Sequence, residues 1–181
     1  MTITETALPG VLLITPKIYK DNRGSFWETF HIGRMAAAGL PTHWVQDNFS
    51  ISRKNVVRGL HYQVIHPQGK LVRAASGAVL DVVVDLRRAS PTFGRHIAEE
   101  LTDENGCMLW IPVGFAHGFQ ALTESVSLAY KVTDEYCPAG ERTLLWNDPE
   151  LEIAWRVTSE DAIVSDKDMK GASLRDVEVF V

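Results

Sequence analysis

Apolar and polar residues alternate in short stretches along most of the chain, and Gly, Pro, Asp and Asn separate the stretches. A period of two puts successive side chains on opposite faces of a strand, so the pattern predicts an antiparallel all-β fold. The clearest stretch is 77–86, where Ala78, Leu80, Val82, Val84 and Leu86 share one face and Asp81 and Asp85 take the other. The stretch 125–133 sets Val126, Leu128, Tyr130 and Val132 against Ser125, Ser127, Lys131 and Thr133, which points Tyr130 inward. Further strands are predicted over 11–19, 43–52, 70–75, 96–101, 107–111, 115–122 and 142–146. That number suits a sandwich or jelly roll. One helix is expected over 32–38, where an Ala-rich run ends at Gly39 and Pro41. A short turn is expected at Ser165, which forms a capping-box pair with Asp168 three residues on. No repeat, low-complexity segment or linker divides residues 1–181, so a single domain is expected.

Composition narrows the partners. The chain has 181 residues, 45% hydrophobic, with 23 acidic against 18 Lys and Arg, for a net charge of −5. A chain of this length buries roughly 70% of its extended surface without disulfides or structural metal. Nucleic acid is not an expected partner, because a basic excess or Lys/Arg-rich run is missing. An anionic ligand would have to be held by a few placed cations. Residues 1–9 carry no secretory pattern, and the apolar runs 11–14 and 82–84 are far short of the roughly 20 residues that span a bilayer. A cytoplasmic protein without a membrane partner is expected. Cys107 and Cys137 lie in no metal-type or redox-type spacing and read as two reduced thiols.

Three segments stand apart from core and solvated surface. They are Arg58-Gly59-Leu60-His61-Tyr62-Gln63 followed by Gln68-Gly69-Lys70-Leu71-Val72-Arg73, then Gly114-Phe115-Ala116-His117-Gly118-Phe119, and Tyr130-Lys131. A single inward histidine or tyrosine is ordinarily a hydrogen-bonded core residue. Several ionisable groups on the apolar faces of one small β fold are costly unless paired or used, and together they point to a pocket. Residues 106–117 resemble the second half of the cupin signature through Gly106, Pro112, Gly114 and His117, which implies a cupin-type jelly roll. The first half ordinarily supplies metal ligands, and the comparable residues are His61, Gln63 and Lys70. A charged Lys has no lone pair to offer and repels a cation, so no metal site is expected. A Lys can instead stabilise oxygen that becomes negative. With a His as base and a Tyr as acid, the set fits proton removal beside a carbonyl and return to the opposite face.

The chain resembles the dTDP-4-dehydrorhamnose 3,5-epimerase family. The resemblance rests on Asp21 to Glu28, Gln46-Asp47-Asn48-Phe49-Ser50, Arg58 to Gln63, Gln68 to Arg73, Ser90-Pro91-Thr92-Phe93-Gly94, Trp110 to Phe119, Tyr130-Lys131, Trp146-Asn147-Asp148-Pro149 and Ser165 to Asp168. It implies a homodimer needing neither metal nor cofactor, acting on dTDP-4-dehydro-6-deoxy-D-glucose and inverting carbons 3 and 5 through enolates. It makes His61 the base, Tyr130 the acid, Asp168 the partner that orients His61, and Lys70 the neighbour of the ketone oxygen. It assigns Arg23, Glu28, Gln46, Asn48, Arg58, His117, Glu141 and Lys167 to the nucleotide sugar and Tyr136 to the thymine. The guanidinium forks of Arg23 and Arg58 suit the diphosphate. Strict alternation puts Arg58 and His61 on opposite faces, so both reach one pocket only through a bulge near Gly59. The alternatives are an epimerase of one centre, a metal-dependent cupin oxygenase and a noncatalytic sugar-binding jelly roll.

Overall fold

The computed structural model describes residues 1–181 and contains thirteen strands and two short helices. In chain order these are β1 (Thr2–Glu5), β2 (Leu12–Thr15), β3 (Tyr19–Asp21), β4 (Gly24–Phe26), α1 (Ile32–Ala37), β5 (Gln46–Arg53), β6 (Val57–Gln63) and β7 (Lys70–Ser76). There follow β8 (Ala78–Asp85), β9 (His96–Thr102), β10 (Met108–Ile111), β11 (Phe115–Ala121), β12 (Ser125–Val132), β13 (Glu141–Thr143) and α2 (Asp166–Met169). One antiparallel sheet runs β1-β2-β10-β7-β12-β5 and a second runs β13-β6-β11-β8-β9, while β3 and β4 form a separate hairpin. The two large sheets pack face to face as a jelly-roll sandwich.

The core between the sheets joins Val72, Ala74 and Leu128 of the first to Val79, Val83, Phe115 and Phe119 of the second. The outer face of the second sheet is apolar too. Leu60, Leu80, Val82, Val84 and Ala116 are covered there by Leu144, Leu151 and Val177 of the carboxy-terminal segment. This double covering changes the picture of β8. Asp81 and Asp85 do lie opposite the Leu80–Val82–Val84 face, but that side is the interior of the sandwich, and both are 0% exposed.

Buried carboxylates need partners. Asp85 accepts from Arg87 Nε at 2.9 Å and Nη2 at 2.7 Å, and from Ser90 Oγ and Thr92 Oγ1 at 2.6 Å each. Burial pushes its pKa up, but the bonds from Arg87, Ser90 and Thr92 outweigh that and hold it at about 2. The Ser90–Gly94 motif is therefore a structural knot, with Arg87 lying 4.3 Å over the Phe115 ring.

The strand expected over 11–19 is the shorter β2, which stops before Pro16, a residue with no N–H for a ladder. The strand expected over 43–52 begins later, at Gln46, and that over 142–146 is the shorter β13. The helix over 32–38 is α1, capped by the His31 ring accepting from Arg34 N. Ser165 caps α2, its hydroxyl accepting from Asp168 N at 3.1 Å. No helix is long and apolar enough to cross a membrane, and both cysteines are free thiols.

Candidate active site

A cavity of about 310 Å³ opens between the sheets, lined on one side by β5 and β12 and on the other by β6 and β11. A shift in strand register makes it possible. On β6 and β11, His61 pairs with His117 but Arg58 pairs with Phe119, so β6 carries one extra residue. Gly59 sits in that bulge with φ +116°, and a Cβ there would lie 2.6 Å from Gly118 Cα. Only glycine fits. The bulge turns both Arg58 and His61 into the cavity, as strict alternation would forbid.

His61 Nε2 lies 2.7 Å from Asp168 Oδ1, and Asp168 Oδ2 accepts from Gly59 N at 3.1 Å. The His61 side chain is 32% exposed and that of Asp168 5%. Burial pushes the Asp168 carboxyl up, but the hydrogen bond and charge of His61 and the bonds from Gly59 and Ser165 bring it below its ordinary value. An ionised Asp168 only accepts, so the ring N–H at Nε2 is the donor and Nδ1 keeps the free lone pair. The cap of α2 and the bulge of β6 thus fix the tautomer together.

Lys70 is 8% exposed, and its Nζ donates to His61 O at 3.0 Å. Burial lowers its pKa to about 8, with the charges of Asp81 and Glu141 resisting. Tyr130, on β12, faces the cavity from the sheet opposite His61. Burial raises its pKa, Arg58 offsets part of this and Glu141 adds to it. The phenol therefore holds its proton at neutral pH.

His117 also reaches the cavity, and its Nε2 lies 3.0 and 2.9 Å from the two oxygens of Asp81. Asp81 is a further residue behind the site that the sequence motifs do not single out, since alternation says only that it lies on the face opposite Leu80, Val82 and Val84. The readable signal was that Val79 and Val83 share that face, which makes both sides of β8 apolar.

At the mouth, Tyr136 donates from its hydroxyl to Glu141 Oε2 at 2.8 Å, and Lys167 Nζ lies 2.5 Å from the same oxygen. Burial pushes Glu141 up, but Lys167, Tyr136 and His61 bring it below its ordinary value. Gln46 Nε2 donates to Asn48 Oδ1 at 2.7 Å while Gln46 Oε1 accepts from Tyr136 N at 3.2 Å. Arg58 Nε is steadied by Ser52 Oγ at 3.0 Å. The structure thus gathers His61, Lys70, Tyr130, Asp168, Gln46, Asn48, Arg58, His117, Tyr136, Glu141 and Lys167 in and around one cavity.

Arg23 and Glu28 are the exceptions. Arg23 lies in the β3–β4 turn bound to Asp21, with its side chain 85% exposed, and Glu28 pairs with Arg34. Neither lines the cavity, because β3 and β4 pair only with each other and belong to neither large sheet. Gln63 is occupied structurally: its amide donates to His66 O at 2.6 Å and accepts from Cys137 N at 3.0 Å. No three His, Cys, Asp or Glu side chains gather as a ligand set.

The family described as dTDP-4-dehydrorhamnose 3,5-epimerase matches residues 5–176. The chain is 48% identical to the dTDP-4-dehydrorhamnose 3,5-epimerase of Pseudomonas aeruginosa, across 99% of each chain. It superposes on the dTDP-6-deoxy-D-glucose-3,5-epimerase of Legionella pneumophila, solved with dTDP-4-keto-L-rhamnose, with a TM-score of 0.93 and 44% identity over 98% of this chain and 94% of that one. A 3′-monoepimerase from Streptomyces bikiniensis, solved as a double mutant with dTDP, gives a TM-score of 0.87 and 31% identity over 94% and 86%.

Proposed function

The chain belongs to the dTDP-4-dehydrorhamnose 3,5-epimerase family and is an isomerase of that kind, and we propose that His61, Tyr130, Lys70 and Asp168 carry its reaction. The carrying observation is the arrangement across the cavity, with His61 on one sheet held by Asp168 of α2, a protonated tyrosine on the other sheet and a buried lysine beside them. The substrate, dTDP-4-dehydro-6-deoxy-D-glucose, has a ketone at carbon 4, so the hydrogens at carbons 3 and 5 are both acidified by one carbonyl. His61 Nδ1 removes a proton, and the C–H electron pair moves onto the ketone oxygen as an enolate. Lys70, buried next to His61, supplies the ammonium that stabilises that oxygen. The proton taken up by the ring makes an ion pair with Asp168. Tyr130 gives its O–H proton to the carbon from the opposite face, the enolate collapses to the ketone, and exchange with water restores both residues. Repeating the sequence at the second carbon yields dTDP-4-dehydro-L-rhamnose.

Arg58 supports the diphosphate, with Lys167 and Tyr136 holding the nucleotide end at the mouth and Gln46, Asn48, Glu141 and His117 completing the contacts. Residues 1–181 form one domain in this reading, working in the cytoplasm without a cofactor. A homodimer belongs to it as well. Strand β5 is a sheet edge exposing Phe49 and Ile51 at 62% and 66%, and the β3–β4 hairpin exposes Phe26. Arg23 of the partner subunit and Glu28 of the partner subunit then serve the cavity that this chain's own hairpin does not reach. Gel filtration tests this: a dimer is expected, and a fully active monomer contradicts it.

The reaction is tested by incubating the protein with its substrate in deuterated water. Deuterium at carbons 3 and 5 is expected. Deuterium at one carbon alone identifies a single-centre epimerase, and none at either overturns the reading.

A further inference from the structure

One polar group in the cavity wall has no role in the scheme above. Ser50 lies on β5 between Asn48 and Ser52 and faces Leu128 across the ladder with β12. It lines the cavity, yet its hydroxyl oxygen is buried and makes no hydrogen bond. The polar side chains on either side of it along the same face are engaged. Asn48 Oδ1 accepts from Gln46 and Ser52 Oγ accepts from Arg58. A buried hydroxyl without a partner costs stability, and a polar atom brought within hydrogen-bonding distance relieves that cost.

We propose that Ser50 is a further substrate-binding residue, its hydroxyl forming a hydrogen bond with an oxygen of the hexose held between His61 and Tyr130. The inference rests on the epimerase reading and adds a contact to it. Ser50 is one same-face step along β5 from Asn48, which pairs with Tyr130, so it belongs to the wall that carries the acid. The nucleotide end of the cavity is formed separately by Tyr136, Glu141 and Lys167. A hydroxyl both donates and accepts, which suits a sugar hydroxyl or a ketone oxygen equally. Ser50 thereby distinguishes a hexose with oxygen at that position from an analogue without it.

Ser50→Ala removes one oxygen and nothing that the folded chain bonds to, so it tests the contact without disturbing the fold. Expected are an unchanged or raised Tm, a roughly tenfold fall in kcat/KM for the dTDP-hexose, and unchanged affinity for dTDP, which has no hexose. An unchanged kcat/KM overturns the proposal, and so does a loss of dTDP affinity as large as the loss in kcat/KM. A lowered Tm with kcat/KM intact marks a structural hydroxyl and overturns it as well. If the unaltered protein exchanges no deuterium into the substrate, the epimerase reading itself fails, an outcome distinct from an active enzyme indifferent to Ser50.

Discussion

His61 and Asp168 are separated by more than a hundred positions and work as a unit because each fixes the other's chemistry. Asp168 holds the ring by Nε2, and the ring helps keep Asp168 ionised. His61→Asn removes the proposed base, and kcat should fall by at least about 10³-fold with the fold intact, a loss at the upper end of what general acid–base groups contribute. Asp168→Asn keeps the shape but no longer selects the tautomer, and a fall of about 10²- to 10⁴-fold is expected. Deuterium exchange and circular dichroism on both variants check this, and full exchange by His61→Asn would remove that residue from the mechanism. Lys70 adds a pH signature. Burial brings its pKa to about 8, so the ammonium is present below that pH and lost above it. An alkaline limb near pH 8 is expected in the kcat/KM profile, and Lys70→Arg, if it turns over, should lack it because Arg stays charged. An unmoved limb in that variant would assign it to another group.

Strands β6 and β8 show which parts of the design can be read from residue order. The alternation over 77–86 correctly gives β8 its strand and its faces, but a period of two does not reveal what covers each face. Asp81 and Asp85 do take the face opposite Leu80, Val82 and Val84, but that face packs against the first sheet and is interior, while the carboxy-terminal segment covers the other. On β6 the reverse holds: Arg58 and His61 in one cavity required an irregular strand, and Gly59 provides it. A Cβ at Gly59 would meet the β11 backbone, so Gly59→Ala should lower stability by about 2 kcal/mol or more and abolish activity. Thermal melts check this, and wild-type Tm would show that the bulge tolerates a side chain. Asp85 supplies an acid dependence. Its folded pKa of about 2 lies below the ordinary 3.8, so its contribution is full above the ordinary value and is lost as the pH falls toward the folded one. The Tm gap between the protein and Asp85→Asn should narrow as the pH is lowered from about 5 to about 2; a constant gap would mean that the carboxylate charge does not hold the 85–94 knot together. The β3–β4 hairpin was not legible, since two exposed three-residue strands leave no periodic trace.

At the scale of the molecule, a net charge of −5 coexists with Arg58, Lys70 and Lys167 around one cavity. The overall charge gives no reason to expect nucleic acid and carries no information about this local site, which exists only once β5, β6, β7, β12 and the α2 cap meet. The residues proposed to carry the reaction stand in distinctive motifs, which is why the sequence singles them out, and the structure brings them to one cavity. Arg23 and Glu28 were expected at the nucleotide sugar and lie away from the cavity in this chain, because they sit in or beside a hairpin outside both sheets, and in the reading proposed they act through a second copy of the chain. The most direct test of the whole account is nuclear magnetic resonance of dTDP-4-dehydro-6-deoxy-D-glucose turned over by this protein in deuterated water. Deuterium at both carbon 3 and carbon 5 with the product inverted at each is the result expected, and hydrogen retained at both carbons would contradict it.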